Sequence, residues 1–321
     1  MKGRGKGQVN GKGKGAGKIG TVFYLPKEKL IKFISSIKPT PLIPFGGKFQ
    51  EFRGKIDLQG NLTMIPPVKQ VFLPDKNPSF LFDKKTQKIV KSPAEKERVL
   101  FGVNPLDIRA LDTLDEVFEK IPYYQKRRKA SIVIGAGDAG KSGKSFDLFF
   151  HDDGQGFIVL AGSEKGRAFA RKMKLSKFSG SLPEIGTAQE KFLLDAEKLR
   201  EKVKRAPKEV WEEVARTCLG CGICSYVCPL CYCFEVEDRV PIGGKTGTRC
   251  TKWDSCMLES FSEVAGGHVF QKNLSERIKN WYFHKFARAT SERGSPDCVG
   301  CDRCFHFCPV AINFREVLGK C

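Results

Sequence analysis

The chain has 321 residues, 40% of them hydrophobic and 29% charged, which suits about two domains with buried cores. No segment approaches the roughly 18 apolar residues of a membrane helix, and the first twenty residues lack the apolar centre of a secretory signal, so we expect a cytoplasmic protein with no membrane contact. The net charge of +20 belongs almost wholly to residues 1–205, which hold 41 basic and 22 acidic residues, whereas residues 206–321 hold 15 and 14.

The elements before the first cysteine predict an α/β arrangement. Residues 1–20 contain eight glycines, six Lys or Arg and no acid, which predicts a disordered basic tail. Residues 21–206 then form the predicted basic α/β domain. Its predicted strands are GKFQEFRGKIDL, RVLFGV, ASIVIG and the hairpin of SFDLFF with GFIVLAG. Its predicted helices are KEKLIKFISSI after Pro26, PLDIRALDTLDEVFE, EKGRAFARKMK and TAQEKFLLDAEKLREKVKRA. PKEVWEEVARTC is a further predicted helix, and Pro207 marks the expected boundary to a second domain, residues 207–321.

All thirteen cysteines lie at or after Cys218, in the second predicted domain. In a reducing compartment, such a set favours metal or redox chemistry over disulfides. Eight of them form two runs, CLGCGICSYVCP and CVGCDRCFHFCP, both with the bacterial ferredoxin spacing C-x2-C-x2-C-x3-C-P. The first run supplies Cys218, Cys221, Cys224 and Cys228, and the second supplies Cys298, Cys301, Cys304 and Cys308.

This spacing predicts two 4Fe–4S clusters with crossed ligands. Three thiolates on a tight loop can wrap one cubane, with backbone amides directed at the sulfides and with Gly222 and Gly300 allowing close approach. The fourth cysteine precedes a proline and points to the other cluster. The first cluster is therefore predicted on Cys218, Cys221, Cys224 and Cys308, and the second on Cys298, Cys301, Cys304 and Cys228. Zinc is the alternative, but zinc ligands usually come as two pairs a dozen or more residues apart, whereas each run packs four thiols into eleven residues.

The residues between the runs predict an all-helical ferredoxin-like domain, with helices around SCMLESFSEV and RIKNWYFHKFARA. The overall fold class is therefore predicted as α+β. Cys231, Cys233, Cys250 and Cys256 could hold a third cluster, with His268 as an alternative ligand in place of one of them, but no loop-like triplet spacing supports this. Buried apolar thiols are the favoured interpretation of these four and of Cys321.

Other patterns carry less weight. GAGDAGKS, residues 135–142, matches the phosphate-binding loop after a strand, but the following residues predict a strand rather than the required helix. Cys224, Cys228 and Cys231 have the spacing of radical enzymes that cleave S-adenosylmethionine, but the ferredoxin pattern already uses two of them. His306 could tune a cluster by a hydrogen bond. The basic run 126–129 is predicted to be a solvated face. No nucleophile–base pair is recognisable, so no catalytic residue is predicted.

Several segments resemble the two-cluster beta subunits of soluble, sulfhydrogenase-type NiFe hydrogenases, and the corresponding iron–sulfur component of anaerobic sulfite reductase is similar. The resemblance covers about residues 26–318. It is carried by CPLCYCFEVED, RCTKWDSCMLESFSEVAGGHVF, HKFA and CVGCDRCFHFCPVAI, and more loosely by FLFD, VLFGVNPLDIRALDTLDEVF and PYYQKRR.

The resemblance implies an electron relay without catalysis of its own. Its partners would be a flavoprotein subunit that meets a nicotinamide cofactor and a catalytic subunit carrying NiFe or sirohaem. The chain departs from the family at Leu106, where many members have cysteine, and in the loop GAGDAGKSGKS, which lacks the family's cysteines.

The alternative function is a nucleic-acid-binding iron–sulfur protein, suggested by the pI of about 9.4. A basic face for acidic partner subunits explains the same charge.

Overall fold

The computed structural model describes residues 22–45, 48–55, 67–91, 94–186, 188 and 190–321. The predicted basic tail lies outside the described residues, as do residues 56–58 of the predicted strand GKFQEFRGKIDL.

Strands and helices are interspersed along the described chain. The strands are β1 Val22–Pro26, β2 Leu42–Phe45, β3 Lys48–Glu51, β4 Asn77–Asp83, β5 Ile89–Lys91, β6 Arg98–Val103, β7 Ser131–Ala136, β8 Leu148–Asp152, β9 Gly156–Ala161, β10 Ser176–Lys177, β11 Phe234–Arg239, β12 Thr246–Trp253, β13 Glu263–Val264 and β14 His268–Val269. The α-helices are α1 Leu30–Ser36, α2 Lys69–Phe72, α3 Pro105–Val117, α4 Pro122–Lys129, α5 Glu164–Lys172, α6 Ala196–Arg205, α7 Lys208–Ala215, α8 Ile223–Tyr226, α9 Leu274–Tyr282, α10 Ala289–Arg293, α11 Arg303–His306 and α12 Phe314–Lys320.

An eight-stranded mixed sheet organises the N-terminal region, in the order β10-β1-β9-β8-β7-β6-β2-β3. The central strands β6, β7 and β8 pair in parallel, whereas β8 and β9 form the predicted hairpin. Strands β7 and β9 are apolar and buried almost throughout, because hydrophobic clusters cover both faces of the sheet. The strands predicted at RVLFGV, ASIVIG, SFDLFF and GFIVLAG are therefore confirmed.

Two local predictions in this region have different outcomes. After β7, the loop GAGDAGKS makes one 3₁₀ turn at Ala139–Lys141 and leads into β8, so the predicted absence of a phosphate-binding helix after Ser142 is confirmed. The predicted solvated face at residues 126–129 is wrong in part. Arg127 is buried in an ion pair with Glu95 at 2.7 Å, and Arg128 pairs with Asp115 at 2.7 Å. Two of the four basic residues in this run therefore form ion pairs with other parts of the fold.

The C-terminal region is not all-helical, which corrects the prediction. Strands β11 and β12 form a hairpin that joins β4 and β5 in a four-stranded sheet of order β11-β12-β4-β5. Strand β11, FEVEDR, has no clear strand signal in the sequence, because nearly every residue is exposed and four of the six are charged. An isolated hairpin is marginal in water, and here β4 completes the sheet from a distant part of the chain. Strands from both sides of Pro207 thus share one sheet, and the boundary there stays a prediction.

The helix predicted at SCMLESFSEV is also wrong. The segment makes a 3₁₀ turn at Glu259–Ser262 and then enters the short hairpin of β13 and β14. Gly266 and Gly267 both have positive φ and form the turn of this hairpin, which a helix could not accommodate. The helix predicted at RIKNWYFHKFARA is confirmed, as α9, a π-helical turn at Phe283–Arg288, and α10.

Candidate iron–sulfur sites

The two cysteine runs have the same local structure. Each is a loop followed by a one-turn helix that carries the third cysteine, Cys224 on α8 and Cys304 on α11. The residue before each helix has left-handed backbone, Gly222 with φ of 75° and Asp302 with φ of 56°. Both residues suit this conformation, because glycine has no Cβ and aspartate tolerates left-handed backbone better than most residues. The sequence repeat is therefore also a structural repeat.

The first cavity is mainly apolar. Its thiol lining consists of Cys218, Cys221 and Cys224 of the first run with Cys304 and Cys308 of the second. Cys221 is exposed, so this cavity approaches the surface. The other lining residues are almost entirely hydrophobic: Val214, Leu219, Gly222, Ile223, Met257, Ile278, Trp281, Tyr282, Pro309, Val310, Ile312 and Phe314.

The second cavity is lined by Cys298, Cys301 and Cys304 of the second run with Cys228 of the first. Lys285 and Asp302 also line it, so charged side chains accompany the thiols here. Each cavity thus collects three cysteines of one run and the last cysteine of the other, and the first cavity also contacts Cys304.

The cavities adjoin one another. Cys304, Trp281 and Phe314 line both of them, so they share a wall. Cys304 belongs to the C-x2-C-x2-C triplet of the second run, and it lines the second cavity as that position predicts. It also lines the first cavity. Among the described residues, no three His, Cys, Asp or Glu side chains converge as the ligands of one metal ion would. The thiols instead line two adjoining spaces, an arrangement that suits the ligands of polynuclear clusters.

The thiols are held by backbone amides and by burial. The N–H groups of Gly220, Leu230 and Ile312 donate to the sulfurs of Cys218, Cys228 and Cys308, each at 3.4 Å. Burial raises the pKa of Cys224 to about 12 and that of Cys301 to about 12, because a thiolate is poorly solvated there. Such thiols ionise when a bound metal supplies positive charge, so the site chemistry fits a metal bound by thiolates.

Several buried hydrogen-bond donors near the two cavities have no partner among the described residues. Among the described residues, the hydroxyl of Tyr282 and the indole N–H of Trp281, both lining the first cavity, have no hydrogen-bond partner. Neither do Nε and Nη2 of Arg303, which follows Asp302 in the second run. Buried polar groups rarely stay unsatisfied in native proteins. Cluster sulfur atoms are suitable acceptors, so these residues fit a cluster in each cavity.

Sequence reasoning missed Lys285, which is 4% exposed. Its ammonium lies 3.2 Å from the sulfur of Cys228 and donates to the carbonyl of Asp297 at 2.8 Å. Burial alone would lower the pKa of Lys285, but the neighbouring thiols of Cys228 and Cys231 raise it well above its ordinary value. A signal was present in the sequence, because Lys285 lies four residues after Trp281 on the apolar stripe of its helix.

A buried ion pair joins the second run to the N-terminal region. Arg303 and Asp107 are both fully buried and in direct contact, and Asp107 also accepts from the backbone N–H of Val68 at 3.0 Å. Asp107 lies in α3, beside Leu106. No sequence pattern pairs these residues, which are 196 positions apart.

The remaining cysteines fall in separate places. Cys231 donates its S–H to Cys228, which lowers the pKa of Cys228 well below its ordinary value despite burial. Cys233 is hydrogen-bonded to Cys256, Cys250 lies buried on β12, and Cys321 ends the chain beside α12. The proposed substitute ligand His268 packs against Phe270, with ring centroids 4.8 Å apart. These positions form two thiol pairs and isolated thiols rather than a third cavity of four.

Comparison with known proteins identifies the class first. Residues 217–312, which contain both runs, match the 4Fe-4S dicluster domain family. The chain is thus an iron–sulfur electron-transfer protein with two 4Fe–4S clusters, as predicted.

The particular family follows from a full-length comparison. The chain is 30% identical over 303 residues to the sulfhydrogenase 2 subunit beta of Pyrococcus furiosus, covering 85% of this chain and 88% of that protein. It belongs to the family of sulfhydrogenase beta subunits, which confirms the resemblance seen in the sequence. No solved structure matches the chain. No described helix has both the length and the apolar character needed to span a bilayer.

Proposed function

We propose that the chain relays electrons through its two clusters between two other subunits of a cytoplasmic oxidoreductase complex. One neighbour would be a flavoprotein that reacts with NAD(P)H, and the other a metal-containing catalytic subunit of NiFe hydrogenase or sulfite reductase type. The chain itself would carry out no substrate chemistry. The observation that carries this proposal is the shared wall between the two thiol-lined cavities.

In this proposal, the first cluster is held by Cys218, Cys221, Cys224 and Cys308, and the second by Cys298, Cys301, Cys304 and Cys228. The lining of the two cavities supports this crossed assignment. The clusters supply one-electron redox chemistry when bound. The chain contributes their spacing and their surroundings, because α9 and the π-helical turn hold Trp281 and Lys285 between the two runs.

The exposed end of the first cavity suits electron exchange with a partner protein. Cys221 is exposed, and Leu219 and Val310 beside it have 63% and 37% of their surface exposed. An apolar rim around an exposed ligand allows close approach of another redox protein and excludes water. The basic N-terminal region would meet acidic surfaces of the partner subunits.

The crossed assignment can be tested with Cys304→Ser and Cys308→Ser, which lie four residues apart but belong to different clusters. Electron paramagnetic resonance (EPR) of the reduced full-length protein should show Cys308→Ser altering the same signal as Cys221→Ser. Cys304→Ser should alter the signal that Cys228→Ser alters. If Cys304→Ser and Cys308→Ser alter one and the same signal, each run holds its own cluster and the crossed assignment is wrong.

The relay can be tested in the same variants within the native complex. The double variant Cys221→Ser/Cys301→Ser should lose electron flow from NAD(P)H to the catalytic subunit, while each partner's half-reaction with an artificial carrier continues. Cys321→Ser is the matched control, because this thiol lines neither cavity, and it should retain full flow. Full overall turnover in the double variant would exclude the relay.

A further inference from the structure

Charge is distributed unequally around the two cavities. Lys285 lies within 3.2 Å of the Cys228 sulfur, and its other partner is a backbone carbonyl. Among the described residues, no carboxylate lies within ion-pair distance of Lys285; the nearby carboxylate of Asp297 pairs with Arg293 instead. The charge of this buried ammonium is therefore not balanced by an acidic side chain.

Arg303 is a different case. Its guanidinium is fully buried, but the carboxylate of Asp107 balances its charge. Arg303 is not a lining residue of the second cavity, although its Nε and Nη2 have no partner among the described residues. Asp302 also lines the second cavity, but its carboxylate pairs with Arg315 at 2.9 Å. Lys285 is thus the lining side chain that gives the second cavity an excess positive charge.

Among the described residues, none with a charged side chain lines the first cavity. Apart from its thiols, its lining is apolar except for the hydroxyl of Tyr282 and the indole N–H of Trp281. The nearby guanidinium of Arg277 donates to the backbone carbonyls of Met257, Gln271 and Lys272, at 2.7–3.1 Å. Arg277 therefore serves to fix the loop before α9 and is not a lining residue of the cavity.

We propose that Lys285 makes the second cluster the preferred site of the first electron, by giving it a higher reduction potential than the first cluster. This inference rests on the ligand assignment in the proposed function. Reduction adds one negative charge to a cluster, and a nearby buried cation stabilises that charge strongly where the dielectric constant is low. Lys285 acts through the ligand Cys228, so it is a positioning and tuning residue rather than a catalytic one.

The test is a mediated redox titration of the full-length protein, with each reduced cluster followed by its EPR signal. In Lys285→Met, the equilibrium constant for reducing the second cluster should fall at least tenfold, which corresponds to about 59 mV for a one-electron couple. The potential of the first cluster should change much less. Lys285→Arg keeps the charge and should stay close to the wild type.

Two further variants separate charge from other effects. Lys285→Gln keeps an N–H donor but removes the charge, so it should reproduce most of the shift. Lys69→Met is the matched control: Lys69 is also buried, but its ammonium donates to the carbonyls of Ser225 and Cys231 and lies over the ring of Trp253, not against a thiol. It should give a smaller shift than Lys285→Met.

Several results would overturn the inference. An unchanged second-cluster potential in Lys285→Gln would show that the charge has no effect. Equal shifts of both clusters would show that the effect is not specific. Loss of the second cluster from both neutral variants would show a structural role instead. A failure of the ligand assignment is recognised separately, because the cysteine variants would then not link each signal to its predicted set of thiols.

Discussion

The two cluster cavities begin from the same cysteine pattern and end in different surroundings. The first is apolar, and one of its thiols, Cys221, is exposed. The second contains Lys285 and borders the buried pair of Arg303 and Asp107. The repeated motif therefore predicts the same kind of cofactor in both cavities, but the two sites are not equivalent. The difference comes from residues outside the motif or at its variable positions.

The largest effect is expected from breaking the buried ion pair beside the second run. Asp107→Asn leaves the Arg303 guanidinium buried without a counter-charge, which should lower the free energy of unfolding by about 3–5 kcal/mol. Guanidinium chloride unfolding followed by tryptophan fluorescence measures this loss. The double variant Asp107→Leu/Arg303→Met buries no charge and should lose less. A single variant as stable as the wild type would mean that the pair does not hold the second run to α3.

A smaller effect is expected from the backbone of the first run. Gly222→Ala places a Cβ at φ of 75°, 2.9 Å from both Cβ and Oγ of Ser255. A left-handed alanine alone costs about 1–2 kcal/mol, and the Ser255 contact adds to this. Unfolding in guanidinium chloride should show that loss, together with a changed EPR signal of the first cluster.

Asp302 is the matched position in the second run, since it already has left-handed backbone and a Cβ. Asp302→Ala should affect stability less than Gly222→Ala, although it removes the hydrogen bonds from Arg315 at 3.0 Å. If the two variants cost the same, the crowding at Ser255 does not distinguish the two runs.

Much of the architecture could be predicted from the sequence. The strands RVLFGV and ASIVIG are short apolar runs because both faces of the main sheet are covered, and such runs are easily recognised. The two cysteine runs were recognisable because ferredoxin spacing is specific. The crossed arrangement of ligands was predicted from the same spacing, and it stays a prediction that the lining of the cavities supports.

The rest depended on long-range contacts. Strand β11 has little apolar character, and it forms because β12 pairs with β4, which lies far away in the sequence. Asp107 and Arg303 each look like ordinary charged residues until the fold buries them together. Lys285 was the one missed residue with a local signal, a lysine on the buried stripe of its helix.

The most direct test of the account is stepwise reduction of the wild-type protein followed by EPR. If the surroundings of the two cavities determine where electrons rest, the first signal to appear on reduction should be the one that Cys301→Ser alters. The signal that Cys221→Ser alters should appear only at lower potential. Appearance of the Cys221-dependent signal first would contradict the account, because the cluster in the apolar cavity would then be the easier one to reduce.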